Sequence, residues 1–137
     1  MTQLEPPVSP TARSPLQAVA DAVARHYKEQ FGRGPQRCRA HFAGRDAILV
    51  VLDGTMSPAE RRLTDLGEGE RVRGARSALQ RAVQGDLVAA VQEVAGRPVQ
   101  HAVSGIDVEH DVATELFTLD PPAGSADGPL SASAPAG

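Results

Sequence analysis

Gly54-Thr55-Met56-Ser57-Pro58-Ala59-Glu60, placed directly after the apolar run from Ala47 to Leu52, is the stretch that decides the fold. Ser57 suits a helix N-cap, Pro58 suits the first helical position where no amide hydrogen is needed, and Glu60 can complete a capping box three residues on. A strand therefore runs through a Gly-containing turn straight into a helix. Losing such a cap typically costs about 1 kcal/mol.

Upstream, Ser14-Pro15-Leu16-Gln17 offers a second N-cap, and Leu16, Val19, Ala20, Val23, Tyr27 and Phe31 then recur at helical spacing. This amphipathic helix stops at Gly32-Arg33-Gly34-Pro35. Cys38, Ala40 and Phe42 alternate with Arg37, Arg39 and His41, the period of a half-buried strand, and Gly44-Arg45-Asp46 returns the chain into the strand from Ala47 to Leu52. Downstream, a short helix to about Leu66 is broken by Gly67 and Gly69. A longer helix follows, with an expected apolar stripe of Val72, Ala75, Leu79, Val83, Leu87, Val91 and Val94, and Gly96 and Pro98 end it. Two further strands, about 99–107 and 112–119, flank a turn at Val108-Glu109-His110-Asp111 that reads as polar.

The order α-β-β-α-α-β-β predicts an α+β fold, a two-layer sandwich in which a four-stranded antiparallel sheet carries helices on one face. Adjacency of strands across the two hairpins is left open. An uncovered face or sheet edge would invite a partner, most economically a second copy of the chain.

Composition bounds the rest. The chain has 137 residues, 41% of them hydrophobic but only 3% aromatic, with no Trp, so its core must rest on Val, Leu and Ala. One domain over 14–120 is expected, with disordered tails at 1–13 and at 121–137, the second rich in Pro, Ala, Ser and Gly. The net charge of −3 and the scarcity of aromatics argue against nucleic-acid binding, which draws on clustered cations and stacking side chains. The single cysteine, Cys38, rules out an intrachain disulfide. No apolar run approaches the ~18 residues of a membrane-crossing helix, and no targeting segment is visible, so a soluble cytoplasmic protein is expected.

Several motifs in this order resemble the MpsC-like family: Tyr27 to Phe31 with Gly32-Arg33-Gly34-Pro35, the 54–60 turn, Glu68-Gly69-Glu70-Arg71-Val72 with Arg76, Ala95-Gly96-Arg97-Pro98-Val99, Asp107, and Glu115-Leu116-Phe117-Thr118-Leu119. Met56 departs from the pattern, standing where Leu is usual. The resemblance implies association with a bacterial system of cation translocation, membrane-potential generation and inorganic-carbon supply, in which other components do the membrane work. An accessory or regulatory role follows from it, with a membrane ion- or bicarbonate-transport subunit as partner and location in the cytoplasm or at the membrane periphery. It carries over no catalytic residue and no cofactor.

Candidate chemistry divides between structural and functional readings. Gly32, Gly34, Pro35, Gly54, Ser57, Pro58, Glu60 and Gly96 read as motif positions with structural duties. Ser57 lacks the flanking pattern of a nucleophile elbow, and capping accounts for it. The amides of the 54–59 turn lead into a helix N-terminus and could receive a small anion, with Thr55 and Arg76 as further contacts. Arg37 and Arg39 are candidate contacts for an anion or an acidic partner. His101, Asp107, His110 and Asp111 are the N and O donors a metal would draw on, but joint ligation demands a particular strand register. Cys38 and His41 have opposite parity and should face opposite sides. Residues 25–45 are basic and the last hairpin acidic, an asymmetry able to orient self-association or docking.

Overall fold

The computed structural model describes residues 14–121. The tails expected at 1–13 and 121–137 lie, Pro121 apart, outside the described residues. Seven elements follow in the expected order: α1 (Pro15–Phe31), β1 (Arg37–Phe42), β2 (Ala47–Asp53), α2 (Pro58–Asp65), α3 (Gly69–Ala95), β3 (Val99–Asp107) and β4 (Val112–Leu119). Both helix starts have the expected chemistry. Ser14 accepts the amide of Gln17, and Ser57 and Glu60 form a full capping box. α1 and α3 each end on a glycine in the left-handed region, Gly32 at φ 86° and Gly96 at φ 72°.

The strands form one antiparallel sheet in the order β1-β2-β4-β3, so β2 and β4 are central and the two hairpins meet through them. Alternation then sorts each strand by face. Ile48, Val50 and Leu52 of β2 and Ala113, Phe117 and Leu119 of β4 point into the helix layer, where they pack with Val19, Val23 and Tyr27 of α1 and Leu87 and Val91 of α3. A smaller cluster, Met56, Val72 and Val108 backed by Ile106, closes the end of the fold where the 54–60 turn lies.

Two sequence expectations need correcting here. The inward face of α3 is Val72, Arg76, Gln80, Leu87 and Val91, whereas Leu79 is 44% and Val94 39% exposed. The expected stripe holds at Val72, Leu87 and Val91 and is out of phase at Ala75 and Leu79, because two polar residues with internal partners, Arg76 and Gln80, occupy the buried positions there; Val94 lies near the exposed end of the helix. Val108, expected in a polar turn, is 3% exposed and belongs to the second core cluster.

The two sheet edges are treated differently. β3 lies beside α3, from which Arg73 Nη1 donates to the carbonyl of Ile106 at 3.1 Å and Gln84 Nε2 to that of Ala102 at 3.3 Å, consuming acceptors that an added strand would need. β1 borders a groove of about 300 Å³ against α1, lined by Leu16, Gln17, Ala20, Cys38 and Ala40 among others.

The phase of α3 yields a direct test. Leu87→Ala should destabilise the protein by about 2–5 kcal/mol, as core truncations of this type do. Leu79→Ala should cost under about 1 kcal/mol. Urea denaturation of the two variants decides; equal costs would contradict the assigned phase.

Candidate functional site

The 54–60 junction is built around an arginine. Arg76, 2% exposed on α3, donates from Nε to Glu60 Oε2 at 2.7 Å and from Nη2 to both Glu60 Oε1 and the Thr55 carbonyl at 2.7 Å. Its Nη1 reaches Thr55 Oγ1 at 3.3 Å, and its guanidinium lies 4.6 Å from the centre of the Phe31 ring. Glu60 thus holds two tasks, accepting the Ser57 amide at 2.8 Å and receiving Arg76. The Arg76 hydrogen bonds hold its carboxyl below the usual carboxylate range.

The amides of the turn are already occupied. Asp111, in the β3–β4 turn with φ 56°, accepts from Thr55 N at 2.8 Å and from Met56 N at 3.1 Å, while Gly54 N donates to the Asp111 carbonyl at 2.9 Å. Arg61 Nη1 stands 3.5 Å from the same carboxylate. An internal carboxylate therefore sits where an external anion would bind. Gly54 itself is required: at φ 74°, an added Cβ would fall 2.6 Å from the Gln36 side chain.

A second polar group lies deeper. Glu115, 1% exposed in the centre of the sheet and facing the helices, accepts Tyr27 Oη at 2.6 Å and Ser104 Oγ at 2.5 Å. Gln80 Nε2 donates to Tyr27 Oη at 3.0 Å and to the Gly105 carbonyl at 3.2 Å. Burial raises the Glu115 carboxyl above its ordinary value, and burial together with the neighbouring Glu115 does the same for the Tyr27 hydroxyl.

Of the residues singled out in the sequence, Thr55, Ser57, Glu60 and Arg76 come together, and Gly54 and Pro58 shape the same junction. Gly34 and Pro35 lie in the connection from α1 to β1, and Gly96 lies at the far end of α3. Arg37 and Arg39 stand apart on the outer side of β1, where Arg39 Nη2 pairs with Asp53 Oδ2 at 3.1 Å. His110 Nδ1 and Asp107 Oδ2 are 3.0 Å apart, but Asp111 turns to the 54–56 amides and His101 pairs near the opposite end of β3 from Asp107. Cys38 points towards α1, its Sγ 3.4 Å from the Ala20 carbonyl, and burial pushes its thiol up to about 11. Gln80 is the contributor that the sequence reading does not single out; Asp111 enters that reading as a metal donor and not as the partner of the 54–56 amides, and Arg97, a motif residue, bridges Asp46 and the Asp120 carbonyl at the far end of α3.

Arg76, Glu60, Gln80, Tyr27 and Glu115 are thus turned on one another in the helix layer, and the sheet's other face is different. Reading the register across the strands gives three rows: His41–Leu49–Leu116–Val103, Arg39–Val51–Thr114–Gly105 and Arg37–Asp53–Val112–Asp107. The centre of this face is apolar, with Val103 58% exposed. Among the described residues no helix covers it. Its β1 rim carries Arg37 and Arg39 and its β3 rim one carboxylate, Asp107, beside His110, whereas Asp111 and Glu115, which add to the hairpin's acidity in sequence, are spent internally.

These features define a two-layer α+β module with one sealed layer and one open sheet face. Residues 12–121 match the family described as Na+-translocating membrane potential-generating system (MpsC), and the chain belongs to that family. The uncharacterized protein YrhF of Bacillus subtilis (strain 168) is 30% identical over 102 residues, 73% of this chain and 83% of that protein. No solved structure matches.

Two outcomes test the internal site. Ser57→Ala should cost about 1 kcal/mol as a lost cap. Glu60→Ala should cost about 3 kcal/mol or more, because it strands the buried Arg76 charge; equal losses would reduce Glu60 to a capping residue. For Glu115 the folded-state pKa is raised, so its contribution is present below the ordinary carboxylate value of about 4.3 and is lost as pH rises through the raised one. Glu115→Gln should therefore gain stability relative to the natural chain as pH rises above about 4.3, whereas parallel pH profiles would contradict this assignment.

Proposed function

We propose that this protein is an accessory, regulatory component of a membrane-bound cation-translocating system, working through protein contacts and self-association. The observation that carries this reading is the apolar sheet face left uncovered among the described residues, since a face of this kind marks an interaction surface. Family membership supplies the context, and no helix among the described residues is long and apolar enough to cross a membrane. Ion movement accordingly belongs to a membrane subunit, for cations or for bicarbonate, with this chain held at its cytoplasmic side. The alternative, a small-anion site at the 54–59 turn, is disfavoured by Asp111, whose carboxylate occupies the Thr55 and Met56 amides.

The test is made in the source organism. Tagged full-length protein, purified from gently solubilised membranes, should bring down a cation- or bicarbonate-translocating subunit, and deleting its gene should lower the sodium-dependent membrane potential. An unchanged potential in the deletion strain, with no such subunit recovered, would overturn the proposal.

A further inference from the structure

We infer that the open sheet face is closed by a second copy of this chain, packed sheet on sheet about a twofold axis that runs parallel to the strands between β2 and β4. This rests on the self-association proposed above and specifies its surface and geometry. An isologous interface must be self-complementary, so the pattern of the face can be checked against each way of turning it onto itself.

An axis parallel to the strands keeps every row at its own height and exchanges the sides of the sheet. β1 then lies over β3 of the second copy, and β2 over β4. In the first row Leu49 meets Leu116, in the second Val51 meets Thr114, and in the third Arg37 meets Asp107, each pair made twice. Arg39, already paired with Asp53, lies over Gly105, which has no side chain to obstruct it. Apolar centre meets apolar centre, and the arginine rim of β1 meets the Asp107 end of β3. Aligned sheets of this kind pack about 10 Å apart with strands crossed by roughly 30°, enough to interleave such side chains.

An in-plane axis perpendicular to the strands fails on charge. It lays β1 over β1 and β3 over β3, bringing arginine rim to arginine rim and setting Asp107, whose intrachain neighbour is His110, away from Arg37. Edge-to-edge assembly fares no better. β3 has its Ile106 and Ala102 carbonyls taken by Arg73 and Gln84 of α3, and pairing β1 with β1 sets Arg37 and Arg39 of both copies on one ladder. Face-to-face packing about the strand-parallel axis is the arrangement that joins the apolar centres and sets Arg37 against Asp107, with Asp53, held by Arg39 in its own chain, over Val112 and His41 over Val103.

Sedimentation equilibrium of the full-length chain and four variants tests this. The natural chain should be a dimer, and Leu116→Asp should be monomeric with an unchanged circular dichroism spectrum. Arg37→Glu and Asp107→Lys should each weaken the dimer about tenfold, and the double variant should recover most of that loss, as a swapped ion pair does. A natural chain monomeric at every concentration overturns self-association as a whole. A dimer that Leu116→Asp, Arg37→Glu and Asp107→Lys leave intact retains self-association and overturns this face. If Leu116→Asp fails to fold, the charge swap decides alone: recovery in the double variant supports the geometry, and additive weakening overturns it.

Discussion

A guanidinium that is 2% exposed must be compensated from inside the protein, and Arg76 is, with every nitrogen hydrogen-bonded and one face on a ring, in a way that organises the helix layer. Its partners come from different parts of the chain: Glu60 on α2, the Thr55 backbone and hydroxyl in the junction, and the Phe31 ring at the end of α1. α2 has no buried residue of its own, so the Glu60–Arg76 pair is what gives that short helix a fixed seat against α3. Asp111 closes the same junction from the sheet side, holding the Thr55 and Met56 amides and bringing the β3–β4 turn against the end of β2. One buried charge thus connects both helical connections to the last hairpin.

Much of this was legible in sequence, for identifiable reasons. Ser57, Pro58 and Glu60 encode their junction locally, through capping chemistry that needs no knowledge of distant residues. The first strand of the hairpin was legible because Arg37, Arg39 and His41 alternate with Cys38, Ala40 and Phe42, and Cys38 and Ala40 do pack on the core, although Phe42 at the strand's end is 50% exposed. Long-range contacts were not legible. Arg76 and Gln80 sit four apart on the inward side of α3, but a hydrophobic count assigns such positions to solvent and selects Ala75 and Leu79 instead. Only the partners, Glu60 and Tyr27, reveal why polar residues belong there.

The same reason explains the turn at 54–59. Its amides and its place at a helix start were readable as an anion seat, and the anion turned out to be carried by the chain itself, 55 residues or so downstream on Asp111. Net charge along the last hairpin overstated what faces outward for a related reason: the Glu115 carboxylate is enclosed by Tyr27 and Ser104, and Asp111 is turned into the junction. The strand order β1-β2-β4-β3, which no local pattern announces, is what aligns Leu49 with Leu116 and Val103 in one row.

The two layers therefore differ in kind: the buried Arg76, Gln80 and Glu115 of the helix layer are held by internal partners, whereas the sheet's outer face is left open among the described residues and is the surface proposed above for association. Methyl-resolved NMR with a soluble paramagnetic probe, recorded over a range of protein concentrations, tests that division most directly. The methyls of Leu49, Val51, Val103 and Leu116 should lose access to the probe as concentration rises, while those of Leu66, just past α2, and Leu79, on α3, stay accessible. Sheet-face methyls that remain accessible at every concentration, with Leu79 protected instead, would contradict it.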